Sequence, residues 1–146
     1  MKIGDVMNTK PVKINESAKL KDAAGLVSET QTSDLMVVDT NDNFKGVISE
    51  GDLIRATLPE YDDLMKDGTP LGQAWKIFIE KGKELADHPI DKVVIGSPVT
   101  FQSTDELLKA AATMINKQIR ILPVVDNDKL VGTISRGDLA AAVVCG

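Results

Sequence analysis

The feature that most constrains this chain is that it is written twice. Gly46-Val47-Ile48-Ser49-Glu50-Gly51-Asp52-Leu53 returns as Gly132-Thr133-Ile134-Ser135-Arg136-Gly137-Asp138-Leu139. Upstream, Ile3-x-x-Val6 matches Ile90-x-x-Val93, Pro11-Val12 matches Pro98-Val99, and Leu20-x-x-Ala23-Ala24 matches Leu107-x-x-Ala110-Ala111. Val37-Val38-Asp39 likewise matches Val124-Val125-Asp126, and all these pairs sit 87 residues apart (90 minus 3). One residue is then lost in a turn and the spacing becomes 86 (132 minus 46). Collinear matches over the whole stretch, broken once and at a turn, mark two copies of one supersecondary unit.

Each copy has roughly 50 residues, a size at which a core of its own is marginal, so the two copies are expected to bury their faces against each other. Within the first, Val12 to Ile14 is an extended piece behind a proline that a central strand would reject. Ser17 has the chemistry of a helix N-cap, and Leu20, Ala23, Ala24 and Val27 follow at helical spacing. Leu35 to Asp39 and Phe44 to Ser49 alternate as strands around the polar turn Thr40-Asn41-Asp42-Asn43, and a helix begins at Gly51. The second copy repeats the order: strand Val99 to Phe101, helix Thr104 to about Lys117, strands Ile121 to Asp126 and Leu130 to Ser135, and a helix from Arg136. The fold class predicted is α/β, of the α+β kind, with two β-α-β-β-α units packed sheet to sheet about a pseudo-two-fold axis.

Domain boundaries follow: unit 1 over 1–57, an inserted linker over 58–89, and unit 2 over 90–146. In the linker, Pro59 and the acidic Glu60-Tyr61-Asp62-Asp63 predict a turn, and Gly68-Thr69-Pro70 another break. From Leu71 to about Leu85 the spacing predicts an amphipathic helix with Leu71, Trp75, Phe78 and Leu85 on one side, docked on its own domain or serving a subunit contact or lid.

Composition narrows the function classes. The net charge of -5 argues against a general nucleic-acid surface, which needs clustered Lys and Arg. No run reaches the roughly 18 to 20 apolar residues that span a bilayer, and the N-terminus has no apolar signal core, so a cytoplasmic protein without membrane attachment is expected. Cys145 is the single cysteine and stands one residue from the end, so no internal disulfide forms. His88 is the single histidine, in the linker, with no second His or Cys to complete a metal shell. Neither lies by a repeated motif, no P-loop glycine pattern is present, and Asn41-Asp42-Asn43 reads as a hairpin turn rather than a cation loop. Neither an enzyme nor a metal protein is expected.

The repeated Ser-x-x-Asp carries the chemistry. It ends a β-branched strand and opens a helix, where unpaired N–H groups and a partial positive charge suit an anion. The Asp could accept hydrogen bonds from ribose hydroxyls. The same spacing is equally that of a capping box, which stabilises a helix start with no ligand at all.

Paired β-α-β-β-α units with a Pro-Val leading strand, the Leu122-Pro123-Val124-Val125-Asp126 strand and Gly-x-Ile-Ser-x-x-Asp-Leu at the last helix resemble CBS domains, two of which form a Bateman module. The resemblance covers about residues 3–57 and 90–144. It implies a regulatory protein, with no required cofactor, whose clefts take an adenine nucleotide such as AMP, ADP or ATP, or else S-adenosylmethionine, and which signals to a protein partner. It implies one cleft joining Ser135, Gly137 and Asp138 to Met7, Val12, Ser33 and Asp34, and a twin joining Ser49 and Asp52 to Val94, Val99, Arg120 and Ile121. The Asp would hold ribose, the Ser and helix start phosphate, and the strands would wall the base.

The copies differ where it matters. Met36 and Asp34 depart from the family pattern in unit 1. Arg136 stands beside Ser135, whereas Glu50 stands beside Ser49 and would repel a phosphate unless Arg120 offsets it. Unequal sites are therefore expected, the Asp138 cleft being tighter for a nucleotide. The helix faces Leu20 to Val27 and Leu107 to Ile115 are left for self-association, and a homodimer with four units in a disc is expected, as the resemblance also implies. A ligand-free scaffold whose Ser-x-x-Asp copies only cap helices remains the competing reading.

Overall fold

A computed structural model describes residues 1–57, 66, 68–96 and 98–146. Unit 1 runs β1 (Lys13–Asn15), α1 (Leu20–Thr30), β2 (Asp34–Val38), β3 (Phe44–Ser49) and α2 (Glu50–Thr57). The insert contributes α3 (Leu71–Leu85), and unit 2 runs α4 (Leu107–Asn116), β4 (Ile121–Asp126), β5 (Lys129–Ser135) and α5 (Arg136–Val144). β1 lies parallel to β2 and β2 antiparallel to β3, in the order β1-β2-β3. β4 and β5 form the matching hairpin. In unit 2 the expected leading strand shrinks to one bridge, Phe101 to Val124, with Val125 N donating to Phe101 O at 2.7 Å.

Both hairpins carry an irregularity at the equivalent place, Val37/Val38 and Val124/Val125. Their turns differ by the deleted residue. Asp39 organises the longer one, its carboxylate accepting from the Asn41 and Asn43 amides and from the Asn43 side chain, all within 2.9 Å. Asn127 and Asp128, both left-handed at φ 49 and 67, close the shorter one in two residues. The two turns meet: Phe44 N donates to Asp128 O at 2.8 Å and Leu130 N to Asp42 O at 3.0 Å. Met36 and Val38 of β2 pack there with Leu130, Ile121, Phe44 and Val47, so the two sheets share one apolar layer.

Each unit's core is completed by the segment that precedes the other unit. Ile3, in a single helical turn Ile3–Asp5, is wholly buried in the unit 2 core with Leu107, Met114, Leu122 and Ile134. Ile90, in the equivalent turn Ile90–Lys92, is wholly buried in the unit 1 core with Leu35, Val37 and Ile48. Glycine makes these crossings possible. A Cβ at Gly46 would lie 2.4 Å from Ile95 O, and one at Gly132 would lie 2.6 Å from Asn8 O. The strands Val47 and Thr133 thereby bond Ile95 and Asn8.

Two local expectations are corrected. Ser17 does not cap α1: its hydroxyl turns to Asn15 Oδ1 at 2.8 Å. The helix opens at Lys19, whose amide donates to Asp22 Oδ2 at 3.0 Å. On α3 the inward side is Ala74, Phe78 and Leu85, while Leu71 and Trp75 face out. Ala74 and Phe78 are one turn apart, and the helix rolls to put the small Ala74, not the indole, against the domain. The expected turn at Pro59 to Asp63 lies outside the described residues. No described helix is long and apolar enough to cross a membrane.

Candidate functional site

The two Ser-x-x-Asp copies sit at the starts of α2 and α5, at the ends of β3 and β5, as their strand-then-helix pattern requires. In both, the box is closed in full. Ser135 N donates to Asp138 Oδ2 at 2.9 Å and Asp138 N donates to Ser135 Oγ at 3.0 Å. Ser49 N donates to Asp52 Oδ2 at 2.8 Å and Asp52 N to Ser49 Oγ at 3.0 Å. Capping is thus a shown role of these residues, and what distinguishes the copies lies around them.

The distinction is the second carboxylate oxygen. Asp52 Oδ1 accepts from Arg55 Nη2 at 2.7 Å, one turn along α2. The position equivalent to Arg55 is Ala141 (55 plus 86), and Asp138 Oδ1 has no hydrogen-bond partner among the described residues. Partial burial works to raise the Asp52 carboxyl, but the Ser49 amide, the Arg55 guanidinium and the Ser49 hydroxyl outweigh it and hold it below the usual carboxylate value. Arg55 is the residue that comparison of the motif copies alone passes over. The signal was available as an Asp-x-x-Arg spacing on one helix face in one copy and not the other.

The flanking residues fall as follows. Met7 lies against Gly132, on the strand that leads to Ser135, with its Sδ 3.0 Å from where a Gly132 Cβ would be. Val94 lies in the same way against Gly46, on the strand leading to Ser49. Each of these two thus lies against the strand that leads to the other unit's Ser-x-x-Asp. Asp34 is the ladder partner of Ser49, and Ser33 O accepts from Glu50 N at 2.9 Å. Ile121 is likewise the partner of Ser135, and Arg120 O accepts from Arg136 N at 3.1 Å. By backbone contact Ser33, Asp34, Arg120 and Ile121 thus border the helix start of their own unit. Val12 pairs its carbonyl with Met36 N at 3.0 Å and packs on the unit 1 core, while Val99 packs on the unit 2 core.

One side chain crosses between the units at this level. Arg120 Nη1 stands 4.0 Å from Glu50 Oε1, a long pair between two exposed side chains. Arg136 is anchored at one nitrogen, its Nε donating to Ile119 O at 2.9 Å, and Gly137 follows it in the first turn of α5. Around Asp138 the local charges are therefore one arginine and one half-used carboxylate, and around Asp52 a carboxylate already spent on Arg55. Among the described residues no group of three or more His, Cys, Asp or Glu is placed to hold a metal ion.

Two pseudo-symmetric units of this topology, with exchanged leading segments and a Ser-x-x-Asp at each last helix, define the class of paired CBS domains. The CBS domain family matches the chain at residues 3–59 and 90–145, and the chain belongs to that family. An uncharacterised protein of Methanocaldococcus jannaschii is 29% identical over 99% of this chain and 92% of its own length. The chloroplastic CBS domain-containing protein CBSX2 of Arabidopsis thaliana is 31% identical over 90% of this chain and 58% of its own length. A crystal structure of CBSX2 in complex with AMP superposes with a TM-score of 0.75 at 26% identity, covering 99% of this chain and 96% of that one. The CBS domain pair of protein MJ0100, in complex with 5'-methylthioadenosine and S-adenosyl-L-methionine, shares the fold at a TM-score of 0.67 and 16% identity, over 98% and 95% of the two chains.

Proposed function

We propose that this CBS pair is a regulatory module that binds an adenine nucleotide, chiefly in the cleft opened by Ser135, Arg136 and Asp138, and passes the occupancy to a protein partner. The observation that carries the reading is the half-used carboxylate of Asp138. It caps its helix with Oδ2 and keeps Oδ1 for a donor, and a ribose hydroxyl is such a donor. Arg136 supplies positive charge beside a helix N-terminus, which favours a phosphorylated ligand. The AMP complex of CBSX2 supports the ligand class. Ligand binding would bias the angle between the two units, by no more than the ligand's preference for one arrangement.

Calorimetry with AMP, ADP, ATP and S-adenosylmethionine tests this on two variants. Asp138→Asn keeps an oxygen for the Ser135 amide but turns an NH2 donor toward the ribose. It should leave the fold intact and weaken binding roughly tenfold or more, the cost of a hydrogen bond to a charged group. Asp52→Asn should weaken it far less. Equal losses would overturn the assignment of the cleft. A second reading rests on the closed capping boxes themselves: both copies are satisfied without a ligand, so a ligand-free scaffold accounts for them too. A thermal-shift screen separates the two, because a ligand at 100 times its Kd stabilises by about 2.7 kcal/mol. No shift with any of the four compounds favours the scaffold.

A further inference from the structure

Arg55 folds back over the start of its own helix. Its Nη2 donates to Asp52 Oδ1 at 2.7 Å, and a Cβ at Gly51 would stand 3.1 Å from its Nη1 and 3.3 Å from its Nη2. The guanidinium thus covers the first turn of α2, in room that a glycine leaves, and takes the one oxygen of Asp52 that the capping box does not use. The first turn of α5 is bare by comparison. Gly137 matches Gly51, a Cβ there would meet only Ser135 Oγ at 3.6 Å, and Ala141 stands where Arg55 would be. The cap is the same in both copies, and the cover over it is present in one.

That cover is light. The Asp52 side chain is 13% exposed, but that of Arg55 is 71% exposed. A pair with so open a cation, three residues along one helix, shifts an equilibrium only a few-fold. A guanidinium held that loosely can be displaced, which makes it a competitor for the carboxylate and not a fixed part of the cap. While it is in place the pair is close to neutral, so its charge is little help to a phosphate and its carboxylate is closed to a hydroxyl.

We propose that Arg55 is an internal competitor that holds the Asp52 cleft a few-fold weaker for its ligand, and that alanine at 141 is what leaves the Asp138 cleft open. This role rests on the adenine-nucleotide reading above, and it adds a side chain that decides which cleft fills first and whose effect can be moved from one cleft to the other. The opposite role is that of an arginine that holds phosphate, and the two differ in sign. A cation that serves the ligand weakens binding when removed and strengthens it when added. A competitor strengthens binding when removed and weakens it when added, against the direction of the charge change.

Calorimetry with AMP on the full chain reads the sign one cleft at a time. In an Asp138→Asn background, which leaves the Asp52 cleft intact, Arg55→Ala should tighten AMP binding about threefold to fivefold. In an Asp52→Asn background, Ala141→Arg should weaken it by a similar factor. Both positions are exposed on helices and both residues are good helix formers, so circular dichroism should be unchanged. Should Arg55→Ala or Ala141→Arg lose its circular dichroism, Arg55→Met, which keeps the aliphatic stem and removes the donor, decides in its place and should also tighten binding. Equal or weaker binding on removal of Arg55, or equal or tighter binding on addition of Arg at 141, overturns this role alone when the wild type binds AMP. A wild type that does not bind AMP overturns the adenine-nucleotide reading, and the competitor role with it.

Discussion

Asp52 and Asp138 perform the same structural act with different amounts of carboxylate to spare, and one arginine accounts for the difference. Arg55 takes the free oxygen of Asp52, while Ala141 leaves that of Asp138 open. The Asp52 carboxyl is lowered in the folded chain because the Ser49 and Arg55 hydrogen bonds outweigh its partial burial. A carboxyl lowered on folding contributes stability that is fully present above its unfolded pKa and is lost as pH falls through its folded one. Arg55→Ala removes part of that lowering, so it should cost a little stability near neutrality, the pair being exposed on the arginine side, and the variant and the wild type should converge as pH falls through the Asp52 titration. Urea titrations between about pH 3 and pH 7 read this. A difference between variant and wild type that does not shrink toward pH 3 would mean that the Ser49 bonds alone set the Asp52 proton affinity.

At the scale of elements, the repeat predicts the order of strands and helices, and the structure follows it because the alternation and the helical spacing both recur in two copies. What the pattern misses is local competition among polar side chains. Ser17 is a good cap by type, yet Asn15 claims its hydroxyl and its amide, and Asp22 caps from three residues inside. The same acidic reach appears at Asp5 and Asp105, which accept the Lys2 and Gln102 amides, so this chain opens its turns with an Asp at the third position. Asp22→Ala should therefore cost about 1 kcal/mol in chemical denaturation, and Ser17→Ala less than half of that. The reverse order would restore Ser17 as the cap. The outward Trp75 has a related cause: apolar spacing on α3 names two sides, and only the fit of Ala74 against the domain selects between them.

For the whole molecule, the consequential fact is the exchange of leading segments, which the repeat offsets contain but which no local pattern reveals. Ile3 and Ile90 match at a spacing of 87, and each is buried in the core of the unit other than the one it leads. Cutting between the units would thus leave each without a wholly buried isoleucine and without the pairings to Asn8 or Ile95. The chain should behave as one cooperative structure. Ile3→Ala opens a cavity in the unit 2 core at a cost of about 2–5 kcal/mol, and the exchange carries that loss into unit 1, through the shared layer of Met36, Val38 and Leu130 and the bonded turns. Native-state hydrogen exchange distinguishes the cases. With cooperative units, the slowest amides of β2, at Leu35 to Val37, should lose protection by the same factor as those of β5. If the units fold independently, β5 alone should exchange faster and the β2 amides should keep their wild-type rates.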